Sequence, residues 1–330
     1  MSNPTLDVVG IGNAIVDVIA HASDAFLAEQ KLAKGAMTLI DAERASELYG
    51  MMEPAIEASG GSAANTIAGL ASFGGRAGFI GKVRNDQLGD VFAHDIRALH
   101  VAYNTPAATE GAPTARCLIL VTPDAQRTMN TFLGACQALG PDDVDASLIE
   151  SAQITYLEGY LWDPPEAKKA FRKATDIAHA AGRKVALTLS DAFCVDRYRE
   201  EFRELVKSQV DILFANEAEI TSLYEAKDFD EALQYVRKDC SFAALTRSEK
   251  GSVVISGEEI HVVDAEKGVE VVDTTGAGDM YAAGFLYGLT HGKPLHDCGR
   301  LGCIAAAEVI SHVGARPETP YKELMKQKLG

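Results

Sequence analysis

The chain has 330 residues, enough for one large domain or two unequal ones. Apolar residues make up 47% and charged residues 24%, which is typical of a globular protein whose hydrophobic core needs no disulfide bonds or metal ions to support it. There are 31 Lys and Arg against 47 Asp and Glu, so the net charge is −16. This acidic excess argues against nucleic acids and anionic membranes as partners, because both attract basic patches. It leaves phosphate ligands open, because backbone N–H groups and Mg²⁺ bind phosphate without basic side chains.

Cysteine spacing and the absence of long apolar runs set the expected compartment. The six cysteines form no C-x-x-C pair, so we expect reduced, buried thiols. Residues 1–7 lack the pattern of a secretory signal, and no apolar run approaches the roughly 18 residues of a membrane span. We therefore expect a cytoplasmic protein without membrane contact, either a monomer or a homodimer.

Apolar runs typical of strands alternate with longer amphipathic stretches typical of helices. The predicted strands are residues 8–11, 78–83, 154–157, 185–189, 212–215, 242–245 and 252–255. The predicted helices are residues 63–73, 86–99, 166–181, 200–208, 230–238, 277–290 and 295–311. Such alternation predicts an α/β fold with a doubly wound, mainly parallel sheet that is covered on both faces.

Two regions break the alternation and predict a small inserted sheet. Residues 15–21 follow the first strand too closely for a crossover helix. Residues 114–121 and 127–133 flank a turn that contains Pro123 and Asp124, which is a hairpin signal. Together with part of 37–40, these segments predict an antiparallel lid. We expect a lid of about 13–59 and 106–135, and a large domain of about 1–12, 60–105 and 136–330.

The most informative motif is D-T-T-G-A-G-D at residues 273–279, directly before a predicted helix. Gly276 and Gly278 let the backbone approach a ligand, and the first N–H groups of a helix attract an anion. Asp279 falls in the first helical turn and has two readings. It either complements the helix dipole or is a general base, with the N–H groups of residues 276–278, including Ala277, holding a phosphoryl group.

Other phosphate-binding motifs fail. Residues 288–294 have the wrong spacing for a P-loop and end in a proline, and Ile15 stands where a dinucleotide fingerprint has its third glycine.

An acid and a glycine pair near the N-terminus suit a ligand with adjacent hydroxyls. Asp17 lies within an apolar predicted strand, where an acid needs a partner unless that strand faces solvent. The second feature is the stretch Gly60-Gly61-Ser62-Ala63-Ala64-Asn65. Ser62 can cap the following helix, and Asn65 offers both a donor and an acceptor. An ordinary loop-to-helix junction remains the alternative.

A third polar pair follows the predicted strand 212–215. Asn216 and Glu219 lie three residues apart at a strand-to-helix junction, the edge at which open parallel sheets bind ligands. Glu219 could hold Mg²⁺ through water, because Mg²⁺ retains several of its waters. A surface helix start is the alternative.

At these residues the sequence resembles the PfkB, or ribokinase-like, family of carbohydrate and nucleoside kinases. The resemblance rests on the D-T-x-G-A-G-D motif, the glycine pair and the N-x-x-E motif, and it covers nearly the whole chain in order. It implies a ribokinase-like fold and ATP-dependent phosphoryl transfer to a primary hydroxyl. Asp279 would be the catalytic base, and residues 276–278 the anion hole. Asn216 and Glu219 would organise Mg²⁺ and the phosphates.

The same resemblance implies a nucleotide site. Thr246 and Gly251 match the family's nucleotide loop, although Ser248 stands where the family usually has glycine, and Gly314 matches the closing segment near adenine. It also implies a monovalent cation such as K⁺ near Asp273 and Thr275.

Within the family the chain is most similar to the adenosine kinases, because Asn13 and Asp17 match their G-N-x-x-x-D pattern. By that likeness Arg127 neutralises the transferred phosphoryl group. The substrate would be bound by Asp17, Gly61 and Asn65 at the ribose hydroxyls, by Asn13 and Ser62 near the nucleobase, and also by Gly60 and Asp279. The expected apolar walls are Ile15, Leu39, Met129, Leu133 and Leu161, the last where adenosine kinases often carry an aromatic.

The expected reaction transfers the γ-phosphoryl group of MgATP to the 5′-OH of adenosine and gives AMP. A kinase of the same family that acts on ribose, fructose or a related sugar is the alternative. A non-catalytic protein that binds nucleosides is the remote one.

Overall fold

The computed structural model describes residues 4–124 and 126–329. The expected large domain also included residues 1–3 and 330, and the expected hairpin turn included residue 125; these lie outside the described residues. A large sheet comprises β1 (Leu6–Ile11), β5 (Ala77–Ile80), β8 (Ala152–Glu158), β9 (Lys184–Thr188), β10 (Ile212–Asn216), β11 (Phe242–Thr246), β12 (Ser252–Ser256) and β13 (Glu259–Val263). Their order is β13-β12-β11-β10-β9-β8-β1-β5.

The large sheet is parallel from β5 to β11, and only β12 and β13 pair antiparallel. Both of its faces are covered by apolar packing. Along β10, Leu213 joins one core cluster, whereas Ile212 and Phe214 join the cluster on the opposite face. Each large side chain that is fully buried in this way contributes about 1.5–3 kcal/mol. The predicted doubly wound α/β fold is confirmed.

Helices connect the strands and cover the sheet. They are α1 (Asp24–Glu29), α2 (Ala42–Met51), α3 (Ser62–Ser72), α4 (Gln87–Ala98), α5 (Ala146–Ser151), α6 (Pro165–Ala180), α7 (Ala192–Ser208), α8 (Glu217–Tyr224), α9 (Phe229–Asp239), α10 (Ala277–Thr290), α11 (Leu295–Val309) and α12 (Tyr321–Leu329). In the described part of the chain, no helix is both long and apolar enough to cross a membrane. All six cysteines are free and buried, as expected.

A second, five-stranded sheet forms the lid. Its strands are β2 (Ile15–His21), β3 (Met37–Leu39), β4 (Ile56–Gly60), β6 (Ala115–Val121) and β7 (Arg127–Phe132), in the order β3-β7-β6-β2-β4. The predicted hairpin is confirmed, because β6 pairs antiparallel with β7. The prediction that the whole sheet is antiparallel is wrong, because β2 pairs with β6, and β3 with β7, in parallel. β2 and β6 both begin at the end of the lid next to the large sheet and run away from it, which makes them parallel.

Candidate active site

The region where the lid meets the large sheet is here called the cleft. The loop of residues 273–279, here called the anion loop, leads into α10 on the large-sheet side of this cleft. Gly276 is the N-cap of α10 with φ 78°, and no side chain caps the helix. A Cβ at Gly276 would lie 2.7 Å from the backbone oxygen of Ala315. Both its conformation and its space therefore require glycine. The Ala277 N–H donates to the Thr274 backbone oxygen at 3.3 Å. The other N–H groups at this uncapped N-terminus can donate to an anion.

Asp279 lies one turn into this helix and is held by two donors. Ser62 Oγ donates to Asp279 Oδ1 at 2.7 Å, and Asn65 Nδ2 donates to Oδ2 at 3.3 Å. Burial raises the pKa of Asp279 to about 6, and these two hydrogen bonds oppose the rise. A carboxylate with that pKa is ionised at neutral pH and still accepts a proton readily, which suits a general base.

Asp273, at the other end of the anion loop, is saturated with donors. Thr275 donates to its Oδ1 from the backbone N at 3.0 Å and from Oγ1 at 2.7 Å. Its Oδ2 accepts from the Gly314 backbone N at 3.0 Å and from Arg127 Nη1. Burial works to raise the pKa of Asp273, but the hydrogen bonds outweigh it and the net pKa is lowered. Asp273 therefore anchors three segments of the chain.

One face of the lid is largely apolar and carries Asp17 and Arg127, with Thr131 opposite Cys117 and His21 at its far end. Strand register places Asp17 opposite Cys117, and Ile119 between Ile19 and Met129. Asp17 is half-buried, and burial raises its pKa to about 6, against the opposing charges of Arg127 and Arg316.

On the other side of β2, β4 places Ala58 opposite Asp17 and Gly60 opposite Ile15. A Cβ at Gly60 would lie 2.5 Å from Asp17 Oδ2, so the glycine leaves room for the carboxylate. The next residue, Gly61, has φ 98° and is the N-cap of α3.

Arg127 begins β7 on the same lid face and reaches the anion loop. It pairs with Asp273, and both side chains are buried. Its Nε is buried with no hydrogen-bond partner. The structure thus brings this predicted residue to the cleft, with one donor free for an anion.

Glu158, which was not predicted from the sequence, holds two segments of the expected substrate site through Asn13 and Ala63. It ends β8 and is 1% exposed. Its carboxylate accepts from Asn13 Nδ2 at 2.6 Å, from the Asn13 backbone N at 3.3 Å and from the Ala63 backbone N at 2.8 Å. Burial raises its pKa to about 7. A polar residue directly after an apolar predicted strand was the available signal for Glu158, and the same signal marked Asn216.

Arg316 was also missed. Its Nε donates to Asn65 Oδ1 at 3.1 Å, and its Nη1 donates to Ser59 Oγ at 2.6 Å. Asn65, expected at the ribose hydroxyls, is therefore engaged by protein on both sides of its amide. A single arginine in a loop gave no signal in the sequence.

Asn216 and Glu219 form the capping box of α8. Glu219 accepts from Asn216 Nδ2 at 2.6 Å and from the Asn216 backbone N at 2.9 Å. Burial raises the pKa of Glu219 to about 7. The residues do start a helix, but Glu219 is buried and not at the surface. The capping box does not exclude a ligand role, because each carboxylate oxygen can accept a second hydrogen bond.

The expected nucleotide residues lie at the same sheet edge. Thr246 ends β11 beside Asn216, and Gly251 directly precedes Ser252, the register partner of Thr246. Gly314 lies in the segment between α11 and α12 and contacts the anion loop through Asp273. Ser248 adopts φ 51°, so it takes the left-handed backbone of the glycine that it replaces.

Four of the five expected apolar walls are at least partly accessible. Leu39 is 49% exposed, and Ile15, Met129 and Leu133 are half-buried. Leu161 is 1% exposed and packs in a core cluster of the large sheet. The expectation that Leu161 lines the cleft is corrected, because its side chain is enclosed by the core.

Comparisons with known proteins agree with this geometry. Residues 35–322 match the profile of the pfkB family carbohydrate kinases. A solved adenosine kinase from Sinorhizobium meliloti is 55% identical with a TM-score of 0.91, and 98% of this chain and 99% of that chain are covered. A solved probable sugar kinase from Rhizobium etli CFN 42 is also 55% identical, with a TM-score of 0.92 and the same coverage.

Among curated proteins, the adenosine kinase of Saccharomyces cerevisiae is 26% identical over 98% of this chain and 100% of its own length. The profile match spans most of the chain, and the two solved structures cover nearly all of it. The chain belongs to the pfkB family of carbohydrate kinases and is a phosphotransferase with an alcohol group as acceptor.

Proposed function

We propose that the protein transfers the γ-phosphoryl group of ATP to the 5′-OH of adenosine. The observation that carries this choice is the apolar lid face around Asp17. A nucleoside offers adjacent hydroxyls to the Asp17 carboxylate and a flat, largely apolar base to Ile19, Ile119 and Met129. A free sugar would place hydroxyls against those side chains without hydrogen-bond partners. The likeness to two adenosine kinases supports the same substrate.

In this mechanism Asp279 accepts the proton of the attacking hydroxyl while Ser62 and Asn65 hold its carboxylate in place. The N–H groups of residues 276–278 and the Arg127 guanidinium stabilise the charge on the transferred phosphoryl group. The lid covers the cleft and keeps water from competing as acceptor.

The remaining substrate contacts are carried over from the family likeness. Asp17, Gly60 and Gly61 would bind the ribose hydroxyls. Asn13 and Ser62 would lie near the nucleobase. Asn13 would contact it with the part of its side chain that Glu158 does not engage, and Ser62 with the part that Asp279 does not engage.

The nucleotide and its cation occupy the neighbouring strand ends in this proposal. Thr246, Gly251 and Gly314 would contact ATP. Asn216 and Glu219 fit a Mg²⁺ ion held through water, because the Glu219 carboxylate keeps lone pairs beyond its two bonds to Asn216. Bound Mg²⁺ would neutralise phosphate charge.

The predicted monovalent cation does not fit as well. Asp273 already accepts four hydrogen bonds, from Thr275 twice, Gly314 and Arg127, so it offers no free oxygen. No step of the mechanism uses such a cation.

The test is a substrate panel with MgATP, measured as release of ADP. Adenosine, inosine, ribose and fructose are compared by kcat/KM at equal enzyme concentration. We expect adenosine to exceed both sugars by at least about 10²-fold, since two or more unpaired hydroxyls cost several kcal/mol. A higher kcat/KM for a sugar would establish the sugar-kinase alternative. No ADP release with any of them, together with a rise in Tm on adding adenosine, would indicate a silent nucleoside-binding protein.

A further inference from the structure

We propose that Arg316 is a positioning residue for the general base Asp279. It fixes the Asn65 amide beside Asp279, and it places a positive charge near the carboxylates of Asp279 and Asp17. The inference rests on the proposed role of Asp279 as the base. Arg316 lies in the segment between α11 and α12, outside the glycine, D-T-T-G-A-G-D and N-x-x-E motifs.

The orientation of the Asn65 amide follows from the chemistry of its neighbours. A guanidinium can only donate, so the Asn65 atom at 3.1 Å from Arg316 Nε must be the carbonyl oxygen Oδ1. The NH₂ group then faces Asp279 Oδ2, at 3.3 Å, and donates to it. If the amide were reversed, an oxygen would face the carboxylate and repel it. Arg316 therefore selects the amide orientation that holds an ionised Asp279.

The charge of Arg316 acts on an acidic neighbourhood. Burial lowers the pKa of Arg316, and the negative charges of Asp17, Asp95 and Asp279 oppose this shift. Its Nη2 is buried with no hydrogen-bond partner. The titratable groups that act on Asp279, or on which Asp279 acts, are Asp17 of β2, Tyr156 and Glu158 of β8, Tyr160 after β8, Glu219 of α8, and Arg316. Among these groups Arg316 carries the positive charge, and this charge lowers the pKa of Asp279.

The segment that carries Arg316 is fixed at both ends. The Gly314 backbone N donates to Asp273 at 3.0 Å. On the other side, Glu308 Oε1 accepts from the backbone N of Glu318 at 3.0 Å and of Thr319 at 2.8 Å. A guanidinium held by such a segment is preorganised, so it can act on the carboxylates without rearrangement during turnover.

The test compares Arg316→Gln and Arg316→Lys with the unaltered protein by kcat/KM for adenosine between pH 5 and pH 9. Loss of a nearby opposite charge raises the pKa of a carboxylate by about 1 unit or more. We expect the acid limb of the Arg316→Gln profile to move up by about 1 pH unit, so that activity lost at pH 6 is largely recovered at pH 8–9. Arg316→Lys keeps the charge but not the two-pronged contact, and should leave the limb within about 0.3 units.

A second readout needs no turnover. Because the folded-state pKa values of Asp17 and Asp279 are raised, to about 6, above their ordinary value of 3.8, their ionisation destabilises the folded state as pH rises. Removing Arg316 extends this destabilisation to higher pH. The Tm deficit of Arg316→Gln should therefore be larger at pH 8 than at pH 5. Arg97→Gln is the matched control, since Arg97 donates twice to the backbone oxygen of Tyr103, and its deficit should not depend on pH.

The outcomes separate this proposal from the proposed function. If the unaltered protein turns over no nucleoside, the function fails while the Tm comparison still decides the role of Arg316. Equal losses in both variants at every pH, or a Tm deficit independent of pH, would overturn the proposal and leave Arg316 a structural residue. Should Arg316→Gln fail to fold, an acid limb of Arg316→Lys displaced by 1 unit would overturn it as well, and an undisplaced one supports it.

Discussion

The two sides of the cleft carry their polar groups in different ways. On the large-sheet side, Asp279, Glu158 and Glu219 lie at strand ends or in first helical turns, and each accepts hydrogen bonds from protein donors. On the lid side, Asp17 and Arg127 project from strands among apolar neighbours, and Arg127 Nε has no partner. The first arrangement fixes each carboxylate with protein donors, whereas the second holds Arg127 through Asp273 and leaves its Nε without a protein partner.

Asp279→Asn is the severest test of this contrast. It removes the proton acceptor while keeping the size and the neighbours of the side chain. We expect kcat to fall by about 10⁴-fold with little change in the KM for adenosine. Because Asn cannot ionise where burial opposes a charge, Tm should stay equal or rise. Near-native kcat would show that the large-sheet side does not supply the base.

Arg127→Gln tests the lid's contribution to charge stabilisation. We expect kcat to fall by about 10²–10³-fold, because the transferred phosphoryl group loses a positive partner. Arg116→Gln is the control. Arg116 belongs to the face of β6 opposite the cleft-facing residues Cys117 and Ile119, and its guanidinium lies over the Tyr49 ring. Equal losses in the two variants would mean that general damage to the lid, and not the charge of Arg127, explains the effect.

Asp17→Asn tests recognition. An amide cannot accept hydrogen bonds from two hydroxyls as an ionised carboxylate does. We expect KM for adenosine to rise by about 10–100-fold, with a smaller change in kcat. Glu57→Gln, on the neighbouring strand and opposite Val18 instead of Asp17, should leave KM unchanged. A fall in kcat alone would place Asp17 in the chemistry and break the division between the two sides.

Ser248→Gly is the smallest expected effect and concerns the nucleotide side. Ser248 has φ 51°, a conformation that costs a residue with a Cβ about 1–2 kcal/mol and glycine much less. After the greater chain entropy of glycine is subtracted, we expect unfolding by urea to show a gain of at most about 1 kcal/mol. Glu249→Gly, one residue on and without positive φ, should destabilise instead. A loss for Ser248→Gly would mean that the serine side chain has a contact of its own.

The large-sheet side could be predicted from the sequence because its chemistry follows strand ends. Glycine motifs and polar residues directly after apolar runs marked Asp279, Asn216 and Gly61 at helix starts. The regular alternation of apolar runs and amphipathic stretches gave the sheet itself.

The rest depends on contacts between distant segments. Arg316 meets Asn65 across 251 residues of sequence, and no local pattern encodes that meeting. β4 was missed because its segment I-E-A-S-G has weak apolar alternation, and it is a strand only because β2 pairs with it. The mixed direction of the lid likewise follows from where the chain leaves the large sheet.

The Arg127–Asp273 ion pair joins the lid to the anion loop and sets a condition on what can recruit the arginine. A phosphate group with two negative charges attracts a guanidinium more strongly than the single charge of the Asp273 carboxylate does. Neutral solutes and water cannot compete for it. In the proposed mechanism, a phosphate group that takes Arg127 Nη1 from Asp273 would bind more weakly by the strength of the ion pair it replaces.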